Sequence, residues 1–118
     1  MLVNIITNLL NAYKKELAWD TMRAERTESL LPIILKHVPG DILEIGAHMG
    51  TTTKIMCEVG GKFNRHVYVV DPWDGRQEGD DRIYQSFKST CEKLNNLTVI
   101  KHGSEKPEVY ERLKDINL

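Results

Sequence analysis

Cysteine is scarce in this chain, which contains only Cys57 and Cys91. Two widely separated cysteines exclude a disulfide framework and a cysteine-rich zinc site, and we expect two reduced thiols in a cytoplasmic protein. No apolar run approaches the ~20 residues that span a bilayer. The N-terminus also lacks the basic region of a signal peptide. The sequence therefore predicts a cytoplasmic protein with no membrane partner.

An excess of charge of one sign is also lacking. The chain has 16 Lys and Arg residues and 17 Asp and Glu residues, which gives a formal net charge of −1. This balance gives no reason to expect a nucleic-acid or membrane surface. The 118 residues, of which 41% are hydrophobic and 28% charged, are typical of one globular domain with a real core.

The most informative stretch begins after the turn residues Pro39-Gly40. Ile42 to Ile45 is a short apolar run, which predicts a buried strand of a parallel sheet. Gly46 to Gly50 is then a loop of small residues, and we expect Thr51 or Thr52 to cap the helix that follows. A strand, a glycine loop and a helix N-terminus together form a site for a nucleotide-like ligand.

Residues 1–40 are predicted to form a helical segment. Apolar residues at helical spacing from Leu2 to Leu17 predict a first helix, which either packs on its own domain or forms a lid or a dimer arm. The polar stretch Trp19 to Arg26 predicts a connection, and Thr27 or Ser29 is expected to cap a second helix. The predicted buried face of that helix consists of Leu30, Leu31, Ile34, Leu35 and Val38.

Residues 41–118 are predicted to form a second unit of alternating strands and helices. β-branched and aromatic residues predict a second strand over His66 to Val70 and a third over Leu97 to Ile100. Helices are predicted over residues 53–59, ending at Gly60-Gly61, from Asp80 or Asp81 to about Asn95, and over residues 107–116. This order predicts an α/β fold with a Rossmann-like parallel sheet of three strands and right-handed crossovers.

The spacing of the loop residues indicates the class of ligand. A dinucleotide fingerprint, G-x-G-x-x-G, centred on Gly46 would need glycine at the positions of Glu44 and Met49, which disfavours an NAD(P) enzyme. The pattern Glu44-x-Gly46-x-x-x-Gly50 instead resembles the first motif of the class I S-adenosylmethionine (SAM) dependent methyltransferases. The string Glu-Ile-Gly-Ala-His-Met-Gly-Thr-Thr is similar to that of the catechol O-methyltransferase-like group of small-molecule enzymes.

The resemblance implies a SAM site at the ends of the first two strands. Asp71 ends the second strand and would hold the ribose, although it could equally start the turn before Pro72. Thr52 would contact the methionine carboxylate and Glu44 the ammonium group, whereas His48 is either a cofactor contact or a solvent-facing residue. The implied cofactor-binding residues are Glu44, Gly46, Ala47, His48, Gly50, Thr51, Thr52, Asp71, Pro72, Trp73, Gly103 and Ser104.

The adenine ring has its own implied contacts. Trp73 belongs to the string Asp-Pro-Trp-Asp-Gly, which resembles the second motif of a branch that includes enzymes modifying macrolide sugars, and its ring is expected to stack on adenine. Gly103-Ser104 follows the third strand, where the family contacts the adenine edge. Met22, Arg23 and Arg26 could also reach the site, although nothing in the sequence requires it.

The resemblance covers about residues 28–118, which correspond to the front half of the family's domain. In the family a fourth strand brings an Asp that binds Mg²⁺ or orients the acceptor, and no such ligand or catalytic residue is carried over to this chain. The carboxylates Glu78, Asp80 and Asp81 are predicted to compensate a helix dipole and not to bind a metal. We therefore expect a truncated chain or a fragment that has lost the catalytic half.

The predicted function is SAM-dependent methyl transfer to oxygen of a small-molecule acceptor, with this chain supplying the cofactor-binding part. The alternative is a non-catalytic Rossmann-like module that binds a nucleoside or a partner protein. Without a fourth strand the run Ile42 to Ile45 becomes a sheet edge with no Lys or Pro to protect it. We therefore expect self-association through this edge or through the N-terminal helix.

Overall fold

A computed structural model of the chain describes residues 2–76 and 79–118, and within the first helix it describes the side chains of residues 6, 7 and 22–37. Over these residues the chain forms four helices and three strands. They occur in the order α1 (Leu2–His37), β1 (Ile42–Ile45), α2 (Thr51–Lys62), β2 (Val67–Val70), α3 (Asp80–Cys91), β3 (Leu97–Ile100) and α4 (Pro107–Leu113). The predicted α/β order is confirmed.

The strands form one parallel sheet in the order β1-β2-β3. Ile42 pairs with Val67, which pairs in turn with Leu97, so the carboxyl ends of all three strands lie at one edge. β1 and β3 have the predicted bounds, and β2 begins one residue after the predicted His66. The short apolar runs were therefore sufficient to locate the strands.

The sheet is covered by helices on both faces. Val69 on one face packs in a cluster with Cys57 of α2 and Phe87 of α3. Val70 is the next residue of the same strand and faces the other way, where it packs with Val109 of α4. This three-layer arrangement leaves the carboxyl edge of the sheet to the loops.

α1 is one continuous helix of 36 residues, so the prediction of two helices joined over Trp19 to Arg26 is wrong. That stretch is polar, but its Met, Ala, Glu and Arg residues favour helix, and it has no Gly or Pro to end one. Pro32 lies inside the helix and removes one intrahelical hydrogen bond without ending it. Thr27 and Ser29 are consequently interior residues and not caps.

The predicted inner face of α1 is only partly covered. Leu35 is 6% exposed, whereas Leu30, Ile34 and Val38 are each at least half exposed. The helix packs on α2, and only part of its apolar surface reaches the rest of the described chain. Most of the predicted stripe from Leu2 to Leu17 lies outside the described side chains.

Arg65 links the end of α1 to the start of β1 through hydrogen bonds. Its guanidinium donates hydrogen bonds to the carbonyl oxygens of Leu35 at 3.2 Å and Gly40 at 2.5 Å. Gly40 has a φ of 100°, as expected for the predicted turn before β1. The guanidinium thereby satisfies one carbonyl group at the end of α1 and one in the turn that leads into β1.

Both helices that follow β1 and β2 begin after a left-handed glycine. Gly50, with φ 86°, precedes α2, and Gly79, with φ 83°, precedes α3, and neither helix has a side-chain cap. The predicted capping roles of Thr51, Thr52, Asp80 and Asp81 are therefore wrong. The glycine backbone already turns the chain into the helix, so the residue after it is the first helical residue.

Helix ends also differ from the predicted ones. α2 continues through Gly60-Gly61 to Lys62. Gly60 lies against β1, where a Cβ built on it would be 3.1 Å from the Ile42 side chain. The glycine thus serves close packing, and the helix ends before Asn64, which has a φ of 57°. α3 ends at Cys91, four residues before the predicted end, and α4 ends at Leu113, three residues early.

Candidate functional site

The loops that follow the strands are joined at the carboxyl edge of the sheet. The N–H group of Gly46 donates to the carbonyl oxygen of Val70 at 2.9 Å, which links the first loop to the end of β2. The N–H group of Asp71 donates to the carbonyl oxygen of Ile100 at 3.3 Å, which links the second loop to the end of β3. Ligands of open α/β sheets bind at this edge.

The two glycines of the first loop have different roles. Gly46 has a φ of 83°, and a Cβ built on it meets no atom within 4 Å, so its backbone faces the edge without a side chain in the way. Gly50 has a φ of 86°, and a Cβ there would lie 2.8 Å from Phe87 and 2.9 Å from the sulfur of Cys91. Gly46 therefore allows approach to the loop, whereas Gly50 allows the loop to pack under α3.

Asp71 holds the first loop in place. Its Oδ2 atom accepts hydrogen bonds from the N–H groups of Ala47 at 2.9 Å and His48 at 3.2 Å. Its Oδ1 atom accepts one from the N–H group of Trp73 at 3.1 Å, which closes a turn with Pro72 at its centre. A carboxylate has about four lone-pair sites, so about one is left for a ligand.

Trp73 supports this loop from within the core. Its indole is 3% exposed and contacts the rings of Tyr84 and Phe87, with centroid distances of 4.9 and 4.6 Å. Its Nε1 atom donates to the carbonyl oxygen of His48 at 3.0 Å. Because so little of the ring is exposed, the predicted stacking of Trp73 on adenine has almost no ring surface available.

Glu44 contributes a buried carboxylate at the end of β1. It accepts a 2.5 Å hydrogen bond from the hydroxyl of Thr53, in the first turn of α2. Burial raises the pKa of Glu44 above its ordinary 4.5, the bond from Thr53 opposes this, and the charge of Asp71 adds to it. A buried acid with a raised pKa at the edge of a cavity is a candidate ligand-binding group, because a bound cation would stabilise its charged form.

Two cavities adjoin the glycine loop. The first, of about 370 Å³, lies between the loop, the start of α2 and α1, and is lined by Arg23, Glu44, Ile45, Gly46, Ala47, His48, Met49, Thr51 and Thr52. The second, of about 270 Å³, lies between the loops after β1 and β2, and is lined by Gly46, His48, Asp71, Pro72, Trp73, Asp74, Arg76, Asp80 and Ile83. Gly46 and His48 line both, so the cavities are neighbours.

Most of the predicted site residues line one of these cavities, but three do not. Gly50 is buried beneath the loop, and Gly103 and Ser104 line neither cavity, although they follow the carboxyl end of β3. The sequence pattern gives Arg23 only as a residue that could reach the site, and it gives no sign of Arg76. Arg23 is distant in sequence from the loop, and only the packing of α1 brings it there.

Arg76 connects the loop after β2 to the loop after β3. Its guanidinium lies 2.7 Å from a carboxylate oxygen of Asp74 and 2.9 Å from one of Glu105. A hydrogen bond to its own backbone lowers the pKa of Glu105, and the hydrogen bond from Arg76 lowers it further. These groups are exposed, so the link orders the rim of the second cavity more than it stabilises the fold.

The cysteines belong to the core and not to the site. Cys57 is 2% and Cys91 6% exposed, and both are free thiols. Burial raises the pKa of Cys57 to about 12 and that of Cys91 to about 11. Because the thiolate is the reactive form, neither residue is a candidate nucleophile.

The described part of the chain brings no group of three or more His, Cys, Asp or Glu side chains close enough to hold a metal ion. Of the predicted acidic cluster, Glu78 lies outside the described residues, and Asp80 accepts a hydrogen bond from the N–H group of Gly75 at 3.0 Å. Among the helices as described, none is both long and apolar enough to cross a bilayer.

Comparison of the chain with protein-family models, with curated proteins and with solved structures gave no match. The geometry of the two cavities and the residues that line them are therefore the basis for a functional proposal.

Proposed function

We propose that this chain binds SAM and is the cofactor-binding part of a class I methyltransferase that acts on oxygen of a small molecule. One observation carries the proposal, namely that two neighbouring cavities share Gly46 but are lined by different polar groups. One is lined by Glu44 and the start of α2, and the other by Asp71. SAM has an amino-acid end of two opposite charges and a nucleoside end with two ribose hydroxyls, which these two sets of residues suit.

The first cavity fits the amino-acid end. Glu44 supplies a negative charge for the ammonium group, and the gain is largest where that carboxylate is shielded from water. Thr51 and Thr52 lie in the first turn of α2, whose N–H groups have no partners within the helix and favour a carboxylate. The Thr52 hydroxyl adds a donor at the same place.

The second cavity fits the nucleoside end. Asp71 retains acceptor capacity for a ribose hydroxyl after its three backbone hydrogen bonds. Pro72 and Ile83 provide apolar surface for a base. The two carboxylates Glu44 and Asp71 would repel a pyrophosphate, which supports SAM over a dinucleotide. SAM, when bound, supplies a methyl group activated by a sulfonium.

Calorimetric titration with S-adenosylhomocysteine tests this proposal. We expect binding by the native chain, and a loss of about tenfold or more in affinity for Asp71→Asn, because a hydrogen bond to a charged group is replaced by a weaker one. Asp81→Asn, an exposed position on α3, is the matched control. Equal affinities for the native and Asp71→Asn proteins would exclude Asp71 as the ribose ligand, and tight binding of NADH would contradict the choice of cofactor.

A non-catalytic nucleoside-binding module is the second candidate. The hydrogen bonds of the two carboxylates at the site favour this candidate. Glu44 accepts a hydrogen bond from Thr53 and Asp71 accepts three from backbone N–H groups. The proposed ligand contacts use the acceptor sites that remain, so neither carboxylate is left to take a proton from a methyl acceptor. Transfer of radiolabelled methyl groups to catechols, sugars or a crude extract distinguishes the candidates, since a binding module would show none.

A further inference from the structure

We infer that Arg23 of α1 binds the carboxylate of the amino-acid end of the ligand in the first cavity. The inference rests on the proposed function and goes beyond it, because it adds a ligand-binding residue that lies outside the resembling motifs. It also makes α1 part of the binding site.

The position of Arg23 supports this inference. Arg23 lines the same cavity as Glu44, Thr51 and Thr52, although it lies on a different element. A guanidinium presents a planar fork of donors that matches the two oxygens of a carboxylate. The cavity thereby combines a permanent cation and a helix N-terminus with one buried acid.

This set of charges discriminates between ligands. An α-amino acid group carries a carboxylate and an ammonium on one carbon, and Arg23 and Glu44 supply one partner for each. A phosphate would gain from Arg23 but would be repelled by Glu44, and a nucleoside without an amino-acid end would engage neither. The cavity is therefore suited to a zwitterion and not to a simple anion.

A comparison of two ligands isolates the role of Arg23. S-adenosylhomocysteine carries the amino-acid end, and 5′-methylthioadenosine lacks it. We expect Arg23→Gln to weaken the binding of S-adenosylhomocysteine by about tenfold to a hundredfold, and to leave that of 5′-methylthioadenosine unchanged. Arg26→Gln, at an exposed position three residues further along α1 that does not line the cavity, is the matched control and should change neither affinity.

Hydrogen exchange gives a second readout. If the carboxylate reaches Arg23, S-adenosylhomocysteine should slow exchange of the amides of α1 around this residue, and 5′-methylthioadenosine should not. Equal affinity of native and Arg23→Gln proteins for S-adenosylhomocysteine would overturn the inference and leave the proposed function standing. Equal weakening of both ligands would also overturn it, since Arg23 would then act through the fold. Failure of the native chain to bind either ligand would overturn the proposed function itself.

Discussion

The glycines at positions 46 and 50 share a backbone conformation but not an environment. Both have φ near 85°, and only Gly50 lies where a Cβ would meet other atoms, those of Phe87 and Cys91. Replacing either glycine with alanine strains the backbone, whereas Gly50→Ala also overfills the space beneath α3. The pair therefore separates a conformational requirement from a packing requirement.

We predict that Gly50→Ala destabilises the chain by about 1–3 kcal/mol more than Gly46→Ala, the usual range for overpacking a core. Urea unfolding followed by circular dichroism measures the difference. Gly46→Ala should in turn weaken the binding of S-adenosylhomocysteine more than its effect on stability explains, because its Cβ would project where the ligand approaches. Equal unfolding midpoints for the two variants would contradict the packing role of Gly50.

The second residue-scale prediction concerns Glu44 and pH. The folded pKa of Glu44 is raised by burial above 4.5, so the unfolded state ionises first as the pH rises. The free energy of unfolding consequently falls as the pH rises from about 4.5 to the pKa of Glu44 in the folded state. Above that pKa the contribution of Glu44 no longer changes with pH. Glu44→Gln removes this loss and keeps an oxygen that accepts the bond from Thr53.

We therefore expect Glu44→Gln to gain stability relative to the native chain as the pH is raised from 4 to 7, while its affinity for S-adenosylhomocysteine falls. Urea titrations at both pH values, together with calorimetry at pH 7, measure the two effects. Glu58→Gln, on the exposed side of α2, controls for the loss of one carboxylate. A variant that is less stable than the native chain at pH 7 but not at pH 4 would reverse the predicted sign.

At the scale of secondary structure, the strands were easier to predict than the helix ends. A four-residue apolar run between turn residues defines both ends of a strand, and β1 and β3 have the predicted bounds. Helix starts were assigned to Thr and Asp side chains, but glycines at positions 50 and 79 begin the helices through their backbone. Whether a glycine has positive φ depends on the surrounding loop, so composition alone does not distinguish the two kinds of start.

The N-terminal helix shows a different limit of sequence reasoning. The stretch Trp19 to Arg26 was interpreted as a connection because it is polar, but a helix with one side in water needs polar residues there. The same error hid Arg23, because a residue assigned to a connection has no defined direction. Because α1 is one continuous helix that packs on α2, Arg23 lies beside the glycine loop.

At the scale of the whole molecule, several large apolar side chains of β1 and of the N-terminal segment are exposed. Ile45 at the end of β1 is 62% exposed, and Leu30 and Ile33 of α1, with Val38 directly after it, are each more than half exposed. The N–H group of Ile42 donates to the carbonyl oxygen of His66, which precedes β2. Because successive N–H groups of a strand point in opposite directions, the N–H groups of Leu43 and Ile45 point away from β2. On this outer side, the N–H group of Asp41 bonds the carbonyl oxygen of Asn117 at 2.6 Å.

Self-association through this edge stays a prediction. We expect the average mass from light scattering after size exclusion to rise with concentration, since an apolar strand edge is a template for another chain. Ile45→Lys should restore a monomer, because a charge on an edge strand opposes pairing. Tyr110→Lys, at an equally exposed position on α4, should not. A mass independent of concentration in the native chain, with free exchange of the Leu43 and Ile45 amides, would exclude it.

The fit of Gly50 beneath α3 also restricts how this sequence can diverge. At a φ of 86° any other side chain at position 50 strains the backbone, and it fits there only after both Phe87 and Cys91 have become smaller. Each of those steps leaves a cavity that weakens the core. Whether position 50 or α3 is substituted first, the intermediate sequence is therefore less stable than the starting one. Among homologues, a residue other than glycine at this position should occur together with a reduced side chain in the facing turn of α3.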